Sequence, residues 1–142
     1  GAVLLTAYHN CGGELDLPQA LSTMEERGKQ IPGGVCGFCG CCGAAVSTGI
    51  FVSIATGATP LAAESWGLAN SMTGKALERI GALGGPRCCK RDSFTAALAA
   101  VEFAREHLGV TMEVPKEVVC TFSRENAQCL GRRCPYNRAN HK

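Results

Sequence analysis

Ten cysteines in a chain of 142 residues constrain what this sequence can fold into more than any other feature. They fall into three knots. The first is Cys36, Cys39, Cys41 and Cys42, inside a glycine-rich run from Gly33 to Gly43. The second is the adjacent pair Cys88 and Cys89, after Gly84-Gly85-Pro86-Arg87, and the third is Cys120, Cys129 and Cys134, the last followed by Pro135. Only Cys11 stands alone. Thiolates gathered this way, beside glycines that let the backbone wrap closely, suit a metal ion or an iron–sulfur cluster.

Structural disulfides and a redox dithiol system are the competing explanations. Disulfide-stapled secreted domains are usually short and loop-rich. This chain is 46% hydrophobic, with long helical patterns, and can build its own core. In Cys41-Cys42 and Cys88-Cys89 the neighbouring side chains diverge, so each would need a separate partner. No signal peptide with a basic start and a small-residue cleavage site is visible. The expectation is ligation in a reducing, anaerobic cytoplasm. Length argues for one domain over residues 1–142. The chain opens on Gly1 without a methionine, which suggests a processed or trimmed start with residues upstream. A net charge of +2 with scattered positive residues argues against a nucleic-acid partner. The short basic spots Lys90-Arg91 and Arg132-Arg133 read as solvated surface or helix-end neighbours.

Periodicity predicts an all-α fold, a single bundle of about five helices with the cysteines in loops and helix ends. Val3 to His9 forms a short apolar helix. Asp16 caps a second, with Pro18 in its first turn and Gly28 near its end. From about Cys42 to Thr56 no residue carries a charge, which marks a helix buried on all sides. Its small residues admit close neighbours, and its length, polar interruptions and missing basic flanks argue against a membrane span. The next helix runs from about Ala63 to Leu83, with Trp66, Leu68, Ala69, Met72, Ala76, Leu77 and Ile80 as its core stripe. Asp92 or Ser93 caps an amphipathic helix whose apolar stripe is Phe94, Ala97, Leu98, Val101, Ala104 and Leu108, ended by Gly109. Val110 to Val119 reads as an extended connector, and Ser123 as the cap of a last short helix ending near Gly131.

The spacing Cys36-x2-Cys39-x2-Cys42 lets three thiolates reach corners of one cubane, as in the first three positions of the bacterial ferredoxin run. Cys41 falls out of phase and should face away. The ferredoxin position for a fourth ligand is Val46 here, so a fourth must come from afar or be absent. Cys134-Pro135 has the form of a remote ligand. Cys120, Cys129 and Cys134 are expected to act together, with Cys88 or Cys89. Zinc is the alternative, but zinc sites favour two separated pairs, which the later knots do not provide. Cys88 and Cys89 precede a helix N-terminus flanked by Lys90 and Arg91, a place suited to a thiolate, an anionic cluster or a substrate carboxylate. Alternatively, Arg91 simply pairs with Asp92 or Glu102. No Ser/His/Asp arrangement, phosphate-binding loop or HExxH motif is present.

Three stretches together carry a family likeness: Pro32-Gly33-Gly34-x-Cys36-Gly37-x-x-Gly40-x-Cys42-Gly43-Ala44-Ala45; then Gly57-Ala58-Thr59-Pro60-Leu61 with Trp66-Gly67-Leu68-Ala69-Asn70; and Gly84 through Arg91. Over nearly its whole length the chain resembles a cysteine-rich domain family of anaerobic bacteria and archaea that has no established function. Members occur alone or attached to methyltransferase-like or radical-SAM-type modules, so the resemblance implies an anaerobic setting and a partner or fused module of that kind. More locally, Gly84 to Ser93 is similar to the segment of iron–sulfur serine dehydratases in which Pro-Cys and a following Arg open a helix. That likeness implies Cys88 as a cluster ligand and Arg91 as the partner of a substrate carboxylate, beside an iron acting as Lewis acid.

Two readings of function follow. In the first, one or two 4Fe–4S clusters held by Cys36, Cys39, Cys42, Cys88, Cys89, Cys120, Cys129 and Cys134 serve electron transfer or structure while a partner catalyses. In the second, a cluster with an open iron performs elimination or sulfur chemistry on a small carboxylate or thiol, with Arg91 as the candidate catalytic residue. A zinc-stabilised interaction module is the third choice.

Overall fold

The computed structural model describes residues 1–141, and these hold six α-helices, a π-helical run Ala104–Leu108 that continues the last of them to Gly109, two short 3-10 helices (Gly131–Arg133 and Arg138–Asn140) and no strand. The α-helices are α1 (Ala2–Asn10), α2 (Leu17–Gly28), α3 (Val35–Phe38), α4 (Gly43–Thr56), α5 (Glu64–Leu83) and α6 (Cys89–Phe103). The expected all-α fold is the one observed. α3 is a single turn within the first cysteine knot. Among the described residues no helix is long and apolar enough to cross a membrane.

The uncharged helix α4 is the hub. It packs against α1, α2, α5 and α6, and none of its residues is exposed. Phe51 is wholly buried and meets the Tyr8 ring edge-on, with centroids 5.7 Å apart. Burial of a side chain of this kind contributes about 1.5–3 kcal/mol. Gly49 fixes how closely α5 approaches, since a Cβ there would lie 1.9 Å from Oγ1 of Thr73 and 3.0 Å from the Ala69 carbonyl oxygen. Gly57 ends α4 with φ 64°, a conformation that glycine adopts without strain. At the start of α2, Asp16 Oδ1 accepts from the Gln19 backbone N–H at 3.0 Å, the cap expected from the sequence.

Three helical assignments need correction. Trp66 is not part of the α5 core stripe: it is 52% exposed, while Met72 and Ala76 are wholly buried. α6 begins at Cys89, not near Ser93, and its most buried face is Asp92, Thr95, Ala96, Ala99, Ala100 and Phe103. The larger side chains of the expected stripe lie one position away and are mostly half-buried, because the small alanines let α6 settle against the bundle. The region from Ser123 to Leu130 is not a helix but a succession of turns, followed by a short 3-10 helix at Gly131–Arg133. Within the turns the Asn126 side chain accepts from the Gln128 N–H, the local bond by which asparagine competes with helix.

The tail is instead tied down by side chains. Tyr136 packs edge-on against Phe94 of α6, with centroids 5.4 Å apart, and its hydroxyl lies 2.9 Å from Thr95 Oγ1. The Cys120 N–H donates to the Tyr136 carbonyl at 2.7 Å, and Cys120 and Asn137 form an isolated parallel bridge. The main hydrophobic core reaches no further along the chain than Met112.

Candidate functional site

Two cavities, each lined by more than one cysteine, adjoin the α6 N-terminus. The first, about 460 Å³, is lined by Cys88, Cys89, Cys120, Cys129 and Cys134. The second, about 670 Å³, is lined by Cys36 and Cys42. Arg87 and Arg91 border both. All ten cysteines are free.

The first cavity is built by α6 and the tail. Cys88 is the N-cap of α6 and Cys89 its first residue, so the helix start delivers both thiols to one place. The tail delivers the other three, with its turns held against α6 by Tyr136. Cys134 is buried at 7% exposure, while Cys89 is exposed. Two sulfurs accept hydrogen bonds: Cys88 from the Asn126 side-chain amide at 3.2 Å, and Cys129 from the Gly131 backbone N–H at 3.4 Å. Lys90 stands over the Phe122 ring, 3.7 Å from its centroid, and joins α6 to the tail at the cavity wall.

In the first knot Cys36 and Cys42 share the second cavity, while Cys39 is exposed and neither Cys39 nor Cys41 lines it. Cys42 is the N-cap of α4. Burial pushes its thiol pKa up, and the nearby Asp92 carboxylate and Cys36 push the same way. The backbone N–H groups of Ala44 and Ala45 oppose this without reversing it. A neutral Cys42 thiol donates to Asp92 Oδ2 at 4.0 Å, a long contact that matches this protonation state.

Arg91 is not the free cation expected beside a helix opening at Ser93. It lies in the first turn of α6, 3% exposed, and the reading of Lys90-Arg91 as a solvated spot holds only for Lys90. Its Nε donates to Asp92 Oδ1 at 3.2 Å, and its Nη2 to the Gly84 and Pro86 carbonyls at 2.9 Å each. The simple pairing with Asp92 is therefore present, and it links the two knots through Cys42, Asp92 and Arg91.

Among the described residues no three His, Cys, Asp or Glu side chains converge closely enough to hold a single metal ion. The five thiols of the first cavity stand around a volume. Five cysteines on one cavity, two of them accepting N–H donors at sulfur, are the kind of donor set from which cluster thiolates are drawn. Sequence reasoning missed Asn126 and Tyr136. Only their position among the tail cysteines hinted at them.

Compared with known proteins, the chain matches the model of a family of unknown function, DUF5714, over residues 1–137. No curated protein and no solved structure matches it.

Proposed function

We propose that this chain, which belongs to the family of unknown function DUF5714, binds a 4Fe–4S cluster in the cavity ringed by Cys88, Cys89, Cys120, Cys129 and Cys134. It serves electron transfer or structure in anaerobic, cytoplasmic metabolism, alongside a methyltransferase-like or radical-SAM-type partner. One observation carries the reading: five thiols from two distant stretches of sequence line one cavity, and two of them accept N–H donors. Four thiolates complete a cubane, which leaves one in reserve.

When bound, the cluster supplies one-electron transfer at a potential set by charge, hydrogen bonds to sulfur and exposure. The chain's own residues provide the environment. The α6 N-terminus offers free N–H groups and the positive end of its dipole. Lys90 and Arg87 add positive charge along the same wall and offset thiolate charge. Asn126 and Gly131 stabilise the sulfurs of Cys88 and Cys129, and Lys90 with Phe122 links the two walls. Zinc, by contrast, needs four ligands meeting at a point about 2.3 Å from each sulfur.

Anaerobic purification with iron, sulfide and zinc quantification tests this. About four iron and four sulfide per chain are expected, with a paramagnetic signal on reduction. Cys134→Ser should lower both and Cys11→Ser neither. Stoichiometric zinc without sulfide would overturn the proposal.

A further inference from the structure

We infer that the second cavity binds a small carboxylate with a short apolar chain, held by Arg91 and Arg87. The inference concerns the other cavity and Nη1 of Arg91, which hydrogen-bonds to no thiol, although Arg87 and Arg91 border both cavities. The Arg91 guanidinium has Nε fixed by Asp92 and Nη2 fixed by the Gly84 and Pro86 carbonyls. Its Nη1 is buried and, among the described residues, donates to nothing. Folded proteins rarely leave a buried polar group unpaired, and a guanidinium has no state in which it sheds the demand. An acceptor is missing from this corner of the fold.

The surroundings say what kind of acceptor fits. Gly84 and Asp92, which hold the guanidinium, line the second cavity and not the first, so the head group sits on this side of α6. At about 670 Å³ the cavity falls within the roughly 300–1,000 Å³ range of small-molecule sites. Its lining is divided as a short carboxylate is: Arg87 and Arg91 for the anion, Leu77 and Ile80 for an apolar chain. Asp92, the one carboxylate in the lining, is already taken by Arg91 and the Cys42 thiol. Arg87 makes no salt bridge among the described residues. Glycine-rich walls, including Gly84 and Gly85, can yield to bring an acceptor onto the shielded nitrogen. A carboxylate there adds the attraction of opposite charges to the hydrogen bond, which a neutral amide cannot.

Two cysteines make the test local. Cys36 lines this cavity, whereas Cys39 is exposed and lies outside it. The full chain, kept anaerobic, is alkylated with iodoacetamide in the presence of acetate, butyrate or neutral butyramide, and each cysteine is followed by mass spectrometry. Butyrate should slow modification of Cys36 several-fold, acetate less and butyramide not at all, with Cys39 unaffected in every case. Arg87→Gln, at an exposed position, should weaken butyrate protection about tenfold. Arg91→Lys should abolish it, and if that variant does not fold, the Arg87→Gln and butyramide arms decide. Equal protection by butyrate and butyramide, protection of Cys39 as well, or no protection of Cys36 would overturn the inference. Iron content enters none of these comparisons, so the cluster proposal stands or falls separately.

Discussion

The side-chain amide of Asn126 donates to the sulfur of Cys88 at 3.2 Å, while its carbonyl oxygen accepts from the Gln128 N–H at 3.0 Å. The second bond fixes which end of the amide faces the sulfur. A residue of the tail therefore sets the electrostatic surroundings of a thiol at the α6 N-cap.

Asn126→Leu should make the proposed cluster harder to reduce, because an N–H donor to sulfur favours the more negative state. One such bond is worth ~1 kcal/mol, equivalent to about 40 mV for one electron. A redox titration followed by electron paramagnetic resonance measures the shift. In iron-free protein the same variant should slow alkylation of Cys88 relative to Cys39. An unchanged potential together with an unchanged Cys88 rate would remove Asn126 from this role.

Tyr136→Phe should cost about 1 kcal/mol, the hydroxyl contact with Thr95, and leave the ring packing against Phe94 intact. Tyr136→Ala should cost roughly 3 kcal/mol or more, and should also lower the iron-to-protein ratio by loosening the tail. Urea denaturation with iron analysis on the same samples checks both. Full iron retention in the alanine variant would show that the tail cysteines hold their places without this anchor.

Gly49→Ala should destabilise the bundle by roughly 1–3 kcal/mol, because the new Cβ meets Thr73 Oγ1 and the Ala69 carbonyl. Alanine favours helix over glycine by about 1 kcal/mol, which offsets part of this. Thr73→Ala at the same time would remove the nearest atom. Thermal melts of the single and double variants would reveal the coupling.

Cys42 carries a pH prediction. Burial, then Asp92 and Cys36, raise its folded-state pKa above the unfolded value of about 8.5, so the folded chain keeps a proton that the unfolded chain releases. The contribution to stability is constant below that pH and declines as pH rises through the window above it. In metal-free protein, Cys42→Ala should flatten this alkaline decline. Denaturation midpoints between neutral pH and pH ~10 are the measurement, and an equal slope in both proteins would contradict it.

Much of the bundle was legible because its signals are local. The Asp16 cap, the uncharged stretch of α4 and the glycine stops at Gly57 and Gly109 each act within a turn or two of their own position. Trp66 misled because a stripe states which residues share a face, not whether a neighbour covers each of them: Leu68 and Ala69 pack against the core while Trp66 stays 52% exposed. In α6 the alanine face was overlooked because periodicity weights bulk, whereas close helix contact favours small residues. The grouping of Cys120, Cys129 and Cys134 with the α6 thiols was expected from the cysteine clusters. Its physical means, the Tyr136 packing and the asparagine turn, rests on contacts distant in sequence. The burial of Arg91 was hidden for a different reason: its partners at Gly84 and Pro86 are near in sequence but gather around the guanidinium only when the loop folds back.

The separation between a core that ends at Met112 and a cavity that draws on Cys120, Cys129 and Cys134 has a consequence for the order of synthesis. A ribosome delivers every residue of the helical core before it delivers three of the five thiols. The bundle can set while the tail is still in the exit tunnel, and Cys88 and Cys89 wait at a finished helix end for partners not yet made. The thiol ring thus assembles after the helical core, and whatever fills it must arrive once Cys134 has left the ribosome.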